Sequence, residues 1–206
     1  MSPHKSEKSE TIRQKIINAA IDLFYEHGFE KASLRDIAGR VGITQAAIYY
    51  HFRNKEEILY TIIETSSNEL FLTLRSCLSG NGDPLLKLKN AIFQHIISIK
   101  TKRKGAKIII EDKRFLSGDL NSLVKEKEKA VYHLYKNQLS QLQKEKKIRP
   151  CDLTVATFGI LGMINWLYHW YRPDKNISIE TMAEEITNTL FLGLLSEDGK
   201  GSFIRY

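Results

Sequence analysis

Residues 33–55, SLRDIAGRVGITQAAIYYHFRNK, constrain this chain more tightly than any other stretch. Ser33 suits the N-cap of a short helix, with Asp36 three residues on as its reciprocal partner. Leu34, Ile37, Ala38 and Val41 then recur at helical spacing and give that helix one apolar face. Gly42 stands where a left-handed residue ends a helix at little cost. Thr44 suits the cap of a second helix, whose Ala47, Ile48 and Phe52 face inward. A helix, a turn of about three residues containing glycine, and a second helix make a helix-turn-helix unit. In such a unit the N-terminal residues of the second helix lie nearest the base edges of the major groove. The outward positions here are Gln45, Ala46, Tyr49, Tyr50 and His51. Gln reads adenine in bidentate fashion, Ala touches a thymine methyl, and Tyr hydroxyls hold phosphates. The pattern alone also suits two small amphipathic helices of an ordinary helical protein.

The literal residues are more specific than the pattern. Asp36-Ile37-Ala38, Val41-Gly42-Ile43-Thr44, Ile48-Tyr49-Tyr50-His51-Phe52 and Lys55-Glu56-Glu57-Ile58-Leu59 resemble the N-terminal domain of TetR-family repressors. The resemblance implies an all-α chain: a three-helix DNA-binding domain over residues 8–68, with its motif at 33–52, then a C-terminal helical domain over 69–206 for ligand binding and dimerisation. It implies a double-stranded DNA operator as partner, read through Ser33, Thr44, Gln45, Ala46, Tyr49, Tyr50, His51 and Lys55. Lys55 in a helix's first turn opposes the helix dipole unless an anion lies near, and helix N-termini bind phosphates well. The alternative for Lys55 is a surface lysine at a small cost in stability. Many members carry Gly-Thr or Gly-Ala where this chain has Ala46-Ala47, so no operator sequence is carried over.

The remainder of the chain reads as helices. Residues 1–10 are expected to form a polar arm, with Lys5 and Lys8 either solvated or reaching a minor groove. Thr11 and Gln14 suggest a capping box for a first helix that Gly28 ends. Its apolar face, Ile12, Ile16, Ala19, Ala20, Leu23 and Phe24, supports the reading pair. Asn54 and Glu57 open a long helix to about Leu78. Ser79–Pro84 is the clearest break, and Pro84 suits a first helical position. Helices are expected over roughly 84–101, 105–116, 119–146, 152–171 and 178–196, and no stretch has the alternation of a strand. The Lys/Glu run at 125–129 reads as a solvated helix face.

Residues 1–60 hold 9 Lys and Arg against 8 Asp and Glu, although the whole chain carries a formal charge of +7. Binding by the reading head therefore rests on a few placed contacts, not on a broad field. Cys77 and Cys151 are too far apart for a metal motif; each is an ordinary thiol or a redox sensor. The six histidines have no metal spacing, and there is no nucleophile elbow or phosphate-binding glycine loop, so no enzyme, metal site or cofactor is expected. No signal-like segment opens the chain, and a cytoplasmic location without membrane contact is expected.

Leu153 to Tyr171 is apolar nearly all round, and a helix of that kind is buried on all sides. One chain offers few elements to cover it, so a second copy is the natural cover. Leu161, Leu190, Phe191 and Leu194 are candidate interface residues, with Gly159 and Gly162 permitting close approach. His169, Asn165 and the modest length argue against a membrane span. Candidate pocket liners are Phe93, Phe115, Tyr132, Tyr135, Phe158, Trp166, His169 and Trp170, which serve equally as core. Lys100, Lys102, Arg103, Lys104 and Lys107 form a basic cluster, read either as a dipole complement or as a rim for a phosphate-bearing ligand. The run WLYHWYRPDKNIS resembles the tail of a TetR subgroup that senses acyl-CoA thioesters in lipid or aromatic-acid catabolism. The resemblance thus implies a homodimeric repressor released by a lipophilic or CoA-linked effector. The alternatives are a sensor of cationic drugs controlling efflux, and an architectural DNA binder with no ligand.

Overall fold

The computed structural model describes residues 3–101, 103–171 and 177–192, and among these the chain is all-α. The helices are α1 (Pro3–His27), α2 (Leu34–Val41), α3 (Gln45–Tyr49), α4 (Lys55–Leu78), α5 (Pro84–Thr101), α6 (Arg103–Asp112), α7 (Gly118–Lys144), α8 (Leu153–Trp170) and α9 (Ile179–Leu192), with a 3-10 turn at Lys113–Phe115. Two starts differ from the sequence expectation. The helix expected from Thr11 begins at Pro3, because proline loses nothing at a first helical position and no residue before Thr11 interrupts the register. The polar arm is thereby helical from Pro3 onward, and Thr11 is internal, not a cap. The expected helix over 105–116 is instead α6 followed by the 3-10 turn.

The chain divides into two compact units, Met1–Thr73 with Thr101–His133, and Leu74–Lys100 with Leu134–Tyr206. The first unit is built on one apolar cluster. Ile16, Ala20 and Phe24 of α1 meet Ile37 of α2, Ile48 of α3 and Ile58, Leu59, Ile62 and Ile63 of α4, all fully buried. Ile108 of α6, Leu116 just after the 3-10 turn and Val124 of α7 belong to the same cluster. Packing therefore groups α6 and the start of α7 with the N-terminal helices, whereas the sequence expectation cuts at residue 69.

Polar contacts reinforce that grouping. Lys104 pairs with Asp22, and the Lys107 ammonium donates to the Tyr25 carbonyl at 2.8 Å, with both lysines over the Tyr25 ring. Two of the five residues of the expected basic rim are thus spent holding α6 to α1. Lys102 lies outside the described residues, and Lys100 pairs with Glu180 at 3.4 Å in the second unit. Among the described residues of this rim, Lys100, Lys104 and Lys107 each have a partner within their own unit.

The second unit buries Leu88, Ile92 and Ile96 of α5, Tyr135, Leu139 and Leu142 of α7, Ile160, Ile164 and Leu167 of α8, and Ile179, Met182 and Ala183 of α9. Asp152 caps α8 through the Thr154 and Val155 N–H groups at 2.8 and 2.9 Å. No helix among the described residues is long and apolar enough to cross a membrane.

Candidate functional site

The reading pair is fixed by its caps. The Ser33 hydroxyl accepts from the Asp36 N–H at 3.1 Å, and the Ser33 N–H donates to the Asp36 carboxylate at 3.0 Å, a complete capping box. Hydrogen bonds from Ser33 hold the Asp36 carboxyl below its ordinary range. Gly42 ends α2 at φ +75°. Its N–H reaches Gly39 at 3.3 Å while the Ile43 N–H reaches Ala38 at 3.0 Å, the paired bonds of a Schellman motif. Thr44 then caps α3, accepting from the Ala47 N–H at 3.2 Å. A forked Arg40–Glu26 pair, with its closer contact at 3.0 Å, ties α2 back to the end of α1.

α3 is shorter than the pattern suggests. It closes at Tyr49, and the His51 and Phe52 N–H groups both turn back to the Ile48 carbonyl at 2.9 Å. Ile48 and Phe52 are buried, while Gln45, Ala46, Tyr49 and Tyr50 face solvent, Tyr50 with 76% of its surface open. His51 lies just beyond the helix, half-buried, with its ring edge-on to Tyr50 at 5.2 Å. Gln45, Ala46, Tyr49 and Tyr50 therefore form a contiguous outward surface. Thr44 directly precedes it, and both Ser33 and Thr44 are committed to capping.

Lys55 departs from the expectation that it faces a phosphate. Its ammonium donates to the carbonyls of Phe29, Ala32 and Glu30 at 2.7, 2.8 and 3.2 Å and lies 4.3 Å from the Phe29 ring centroid. Burial lowers the pKa of this lysine against the pull of Glu30 and Asp112. The loop from Gly28 to Ala32 has three carbonyls to satisfy, and Lys55 satisfies them from inside. Asp112 completes the arrangement: its carboxylate accepts from the Phe29 N–H at 3.5 Å, and burial raises its pKa. Phe115 stacks on Phe29 at 5.3 Å, and Ser117 donates to the Glu56 carboxylate through its N–H at 2.6 Å and its hydroxyl at 2.9 Å. Segment 112–117 is thus fastened to the loop behind the reading pair and to the first turn of α4.

Sequence reasoning missed Asp112 and Glu56, whose partners lie far off in the chain. The expected pocket liners are divided between the two units. Phe115 belongs to the first unit's core, and Tyr132 is half-buried in that unit. Phe158, Trp166, His169 and Trp170 lie on the outer face of α8, Phe158 61% and Trp166 63% exposed. Helical geometry decides this, since Thr157, Ile160, Ile164 and Leu167 take the inward face. Phe93 is half-buried on α5, as is Arg103 at the start of α6. Tyr135 is fully buried, its hydroxyl 3.1 Å from Nδ1 of buried His95. Burial lowers the His95 pKa to about 4, so the ring is neutral. Leu161, Leu190 and Phe191 are half-buried, and Leu194 lies outside the described residues. Among the described residues no group of His, Cys, Asp and Glu is arranged to hold a metal ion.

Known proteins match this arrangement over nearly the whole chain. The family described as "Bacterial regulatory proteins, tetR family" matches residues 16–61, and "Tetracyclin repressor-like, C-terminal domain" matches residues 81–194. The HTH-type transcriptional repressor KstR2 of Mycobacterium tuberculosis (strain ATCC 25618 / H37Rv) is 24% identical over 192 residues, covering 91% of this chain and 94% of that protein. The crystal structure of AibR in complex with isovaleryl coenzyme A and operator DNA is similar with a TM-score of 0.81 at 26% identity, over 87% of this chain and 98% of that one. The TetR-family regulator PfmR from Thermus thermophilus is similar with a TM-score of 0.83 at 26% identity, over 88% and 99%.

Proposed function

Because this chain belongs to the TetR family of bacterial regulatory proteins, whose members regulate transcription and are not enzymes, we propose that it is a homodimeric repressor. In this reading it binds a palindromic operator in the cytoplasm and leaves it when a lipophilic effector, such as an acyl-CoA thioester, binds. The observation that carries the DNA part is the outward surface of Gln45, Ala46, Tyr49 and Tyr50 on a helix capped at its start and preceded by a sealed turn. Residues 8–68 read DNA in this proposal, and residues 69–206 carry effector binding and pairing. Replacing Gln45 with Ala relaxes preference at one base pair, by about 1–3 kcal/mol if its contact is bidentate. Competition gel shifts with single-base operator variants measure that, and an unchanged preference overturns the role given to Gln45.

The effector class is supported by the AibR complex with isovaleryl coenzyme A, a relative at 26% identity. It does not rest on the lysine rim, whose Lys104 and Lys107 are engaged by α1. A cationic-drug sensor draws on buried carboxylates. Among the described residues the buried carboxylate is Asp112, which serves the Phe29 loop of the first unit. Effector and operator must oppose each other by one coupling free energy, typically about 1–3 kcal/mol. The decisive experiment titrates free protein, and protein bound to a duplex selected from random sequence, with isovaleryl-CoA and longer acyl-CoAs. Weaker binding to the DNA complex supports this effector class. Equal affinity, or none, removes it and leaves the repressor assignment standing.

A further inference from the structure

We propose that Arg53, not Lys55, is the cation of the α3–α4 turn that meets a DNA phosphate. This rests on the DNA-binding role argued above and adds to it a residue and a division of labour. An ammonium has three N–H donors, and Lys55 directs them at three carbonyls, those of Phe29, Ala32 and Glu30. Turning outward would strand those carbonyls and give up the Phe29 ring contact. Lys55 is therefore a structural cation of the loop behind the reading pair.

Arg53 is placed differently. Its side chain is exposed, and among the described residues no carboxylate pairs with its guanidinium. Its backbone is braced: the Arg53 N–H donates to Glu57 Oε2 at 2.6 Å, and the Glu57 N–H donates to Asn54 Oδ1 at 2.8 Å. The side chain thus leaves a fixed turn directly after the exposed Tyr49 and Tyr50. The two acids that follow are occupied, Glu57 by the Arg53 N–H and Glu56 by Ser117. Arg40, the next cation upstream, is forked onto Glu26. A guanidinium with its donors free, on a braced turn three residues past the exposed Tyr50, suits a phosphate's paired oxygens better than a point charge does.

The test uses the full chain and a mixed-sequence duplex, with affinity measured by fluorescence anisotropy between 50 and 200 mM salt. One lost phosphate contact reduces the slope of log K against log salt by about one, so an Arg53→Ala variant loses about fourfold less affinity across that range than the unaltered protein. Arg53→Lys recovers most of the slope, and neither variant shifts Tm, since the side chain has no protein partner to lose. Lys55→Met keeps the slope of the unaltered protein and lowers Tm. An Arg53→Ala slope equal to that of the unaltered protein overturns the proposal, whether or not Lys55→Met folds well enough to be titrated. So does a Lys55→Met slope reduced by about one at unchanged Tm. Failure of the unaltered protein to bind any duplex at low salt is a different result, and it overturns the DNA-binding role itself.

Discussion

Lys55 and His95 show how one buried polar group sets a measurable property. The Lys55 ammonium replaces water for three carbonyls of one loop, and charged hydrogen bonds of this kind contribute about 1.5–3 kcal/mol each when their loss strands a partner. Because Lys55 is only partly buried, water recovers part of that. Lys55→Met should therefore destabilise the chain by about 2 kcal/mol in urea denaturation, and a change below about 0.5 kcal/mol would mean the loop does not need it. His95 works through pH. Its folded pKa is about 4 against an ordinary 6.5, so between those values the unfolded chain holds the extra proton. Stability then falls as pH drops from 6.5 towards 4, and by pH 4 the group has removed about 3 kcal/mol. His95→Gln keeps a hydrogen-bonding partner for Tyr135 and cannot titrate, so its Tm should fall less steeply across that window. Equal slopes in a thermal-shift series at pH 4.5, 5.5 and 6.5 would show that His95 is not the titrating group. Neither residue announced this in the sequence. Lys55 meets carbonyls 23 to 26 residues away, and His95 meets Tyr135 on another helix, separations that no local pattern encodes.

Helices were legible where a cap or a breaker stands beside a periodic face. Ser33 with Asp36, Gly42, Thr44, Asn54 and Pro84 all mark ends that the structure reproduces. The start of α1 was not legible, because polar residues that favour solvent also sit comfortably in an exposed helix, and only Pro3 marks the boundary. The partners of α6 were hidden for another reason. Its Lys104 and Lys107 read as a surface cluster until α1 supplies Asp22 and the Tyr25 carbonyl. Gly105 on the same helix gave no signal either, yet it sets the spacing to α4. A Cβ added there meets Ser66 Oγ at 2.8 Å, closer than a side chain tolerates. Gly105→Ala should cost about 1–3 kcal/mol through overpacking, offset in part by the better helix propensity of alanine. Adding Ser66→Ala should return most of the loss, because the clashing oxygen is gone. In a double-mutant cycle of urea unfolding energies, a coupling of at least about 0.5 kcal/mol is expected. Additive effects would mean that α4 and α6 are not in close contact at this point.

At the scale of the molecule, the proposed pairing of two chains rests on α8. Its inward face, Thr157, Ile160, Ile164 and Leu167, is buried by its own chain. Its outward face carries Val155, Phe158, Met163, Trp166 and Trp170, all exposed, with open space around Gly159 and Gly162. In the sequence this surplus of apolar residues reads partly as pocket lining and partly as cover for a second chain. Periodicity fixes which residues share a face, and says nothing about which face the rest of the chain will cover. Apolar surface gathered on one helix and left to water is a feature of interfaces, and two glycines between the large side chains let a second helix approach closely. In a two-fold pair each copy presents this same face to the other. Trp166→Glu or Phe158→Asp should therefore place a charge where the partner's apolar face must pack, and shift the protein from dimer to monomer in light scattering at micromolar concentration. Because these side chains face solvent within one chain, the variants should keep their helical circular dichroism, which separates lost pairing from lost folding. Their affinity for a single half-site should stay near that of the unaltered protein. Affinity for an inverted repeat with half-sites about 34–36 Å apart should fall by orders of magnitude, since two heads no longer bind as one. A stable monomer of the unaltered protein under the same conditions would sink the pairing and, with it, the requirement for a palindrome.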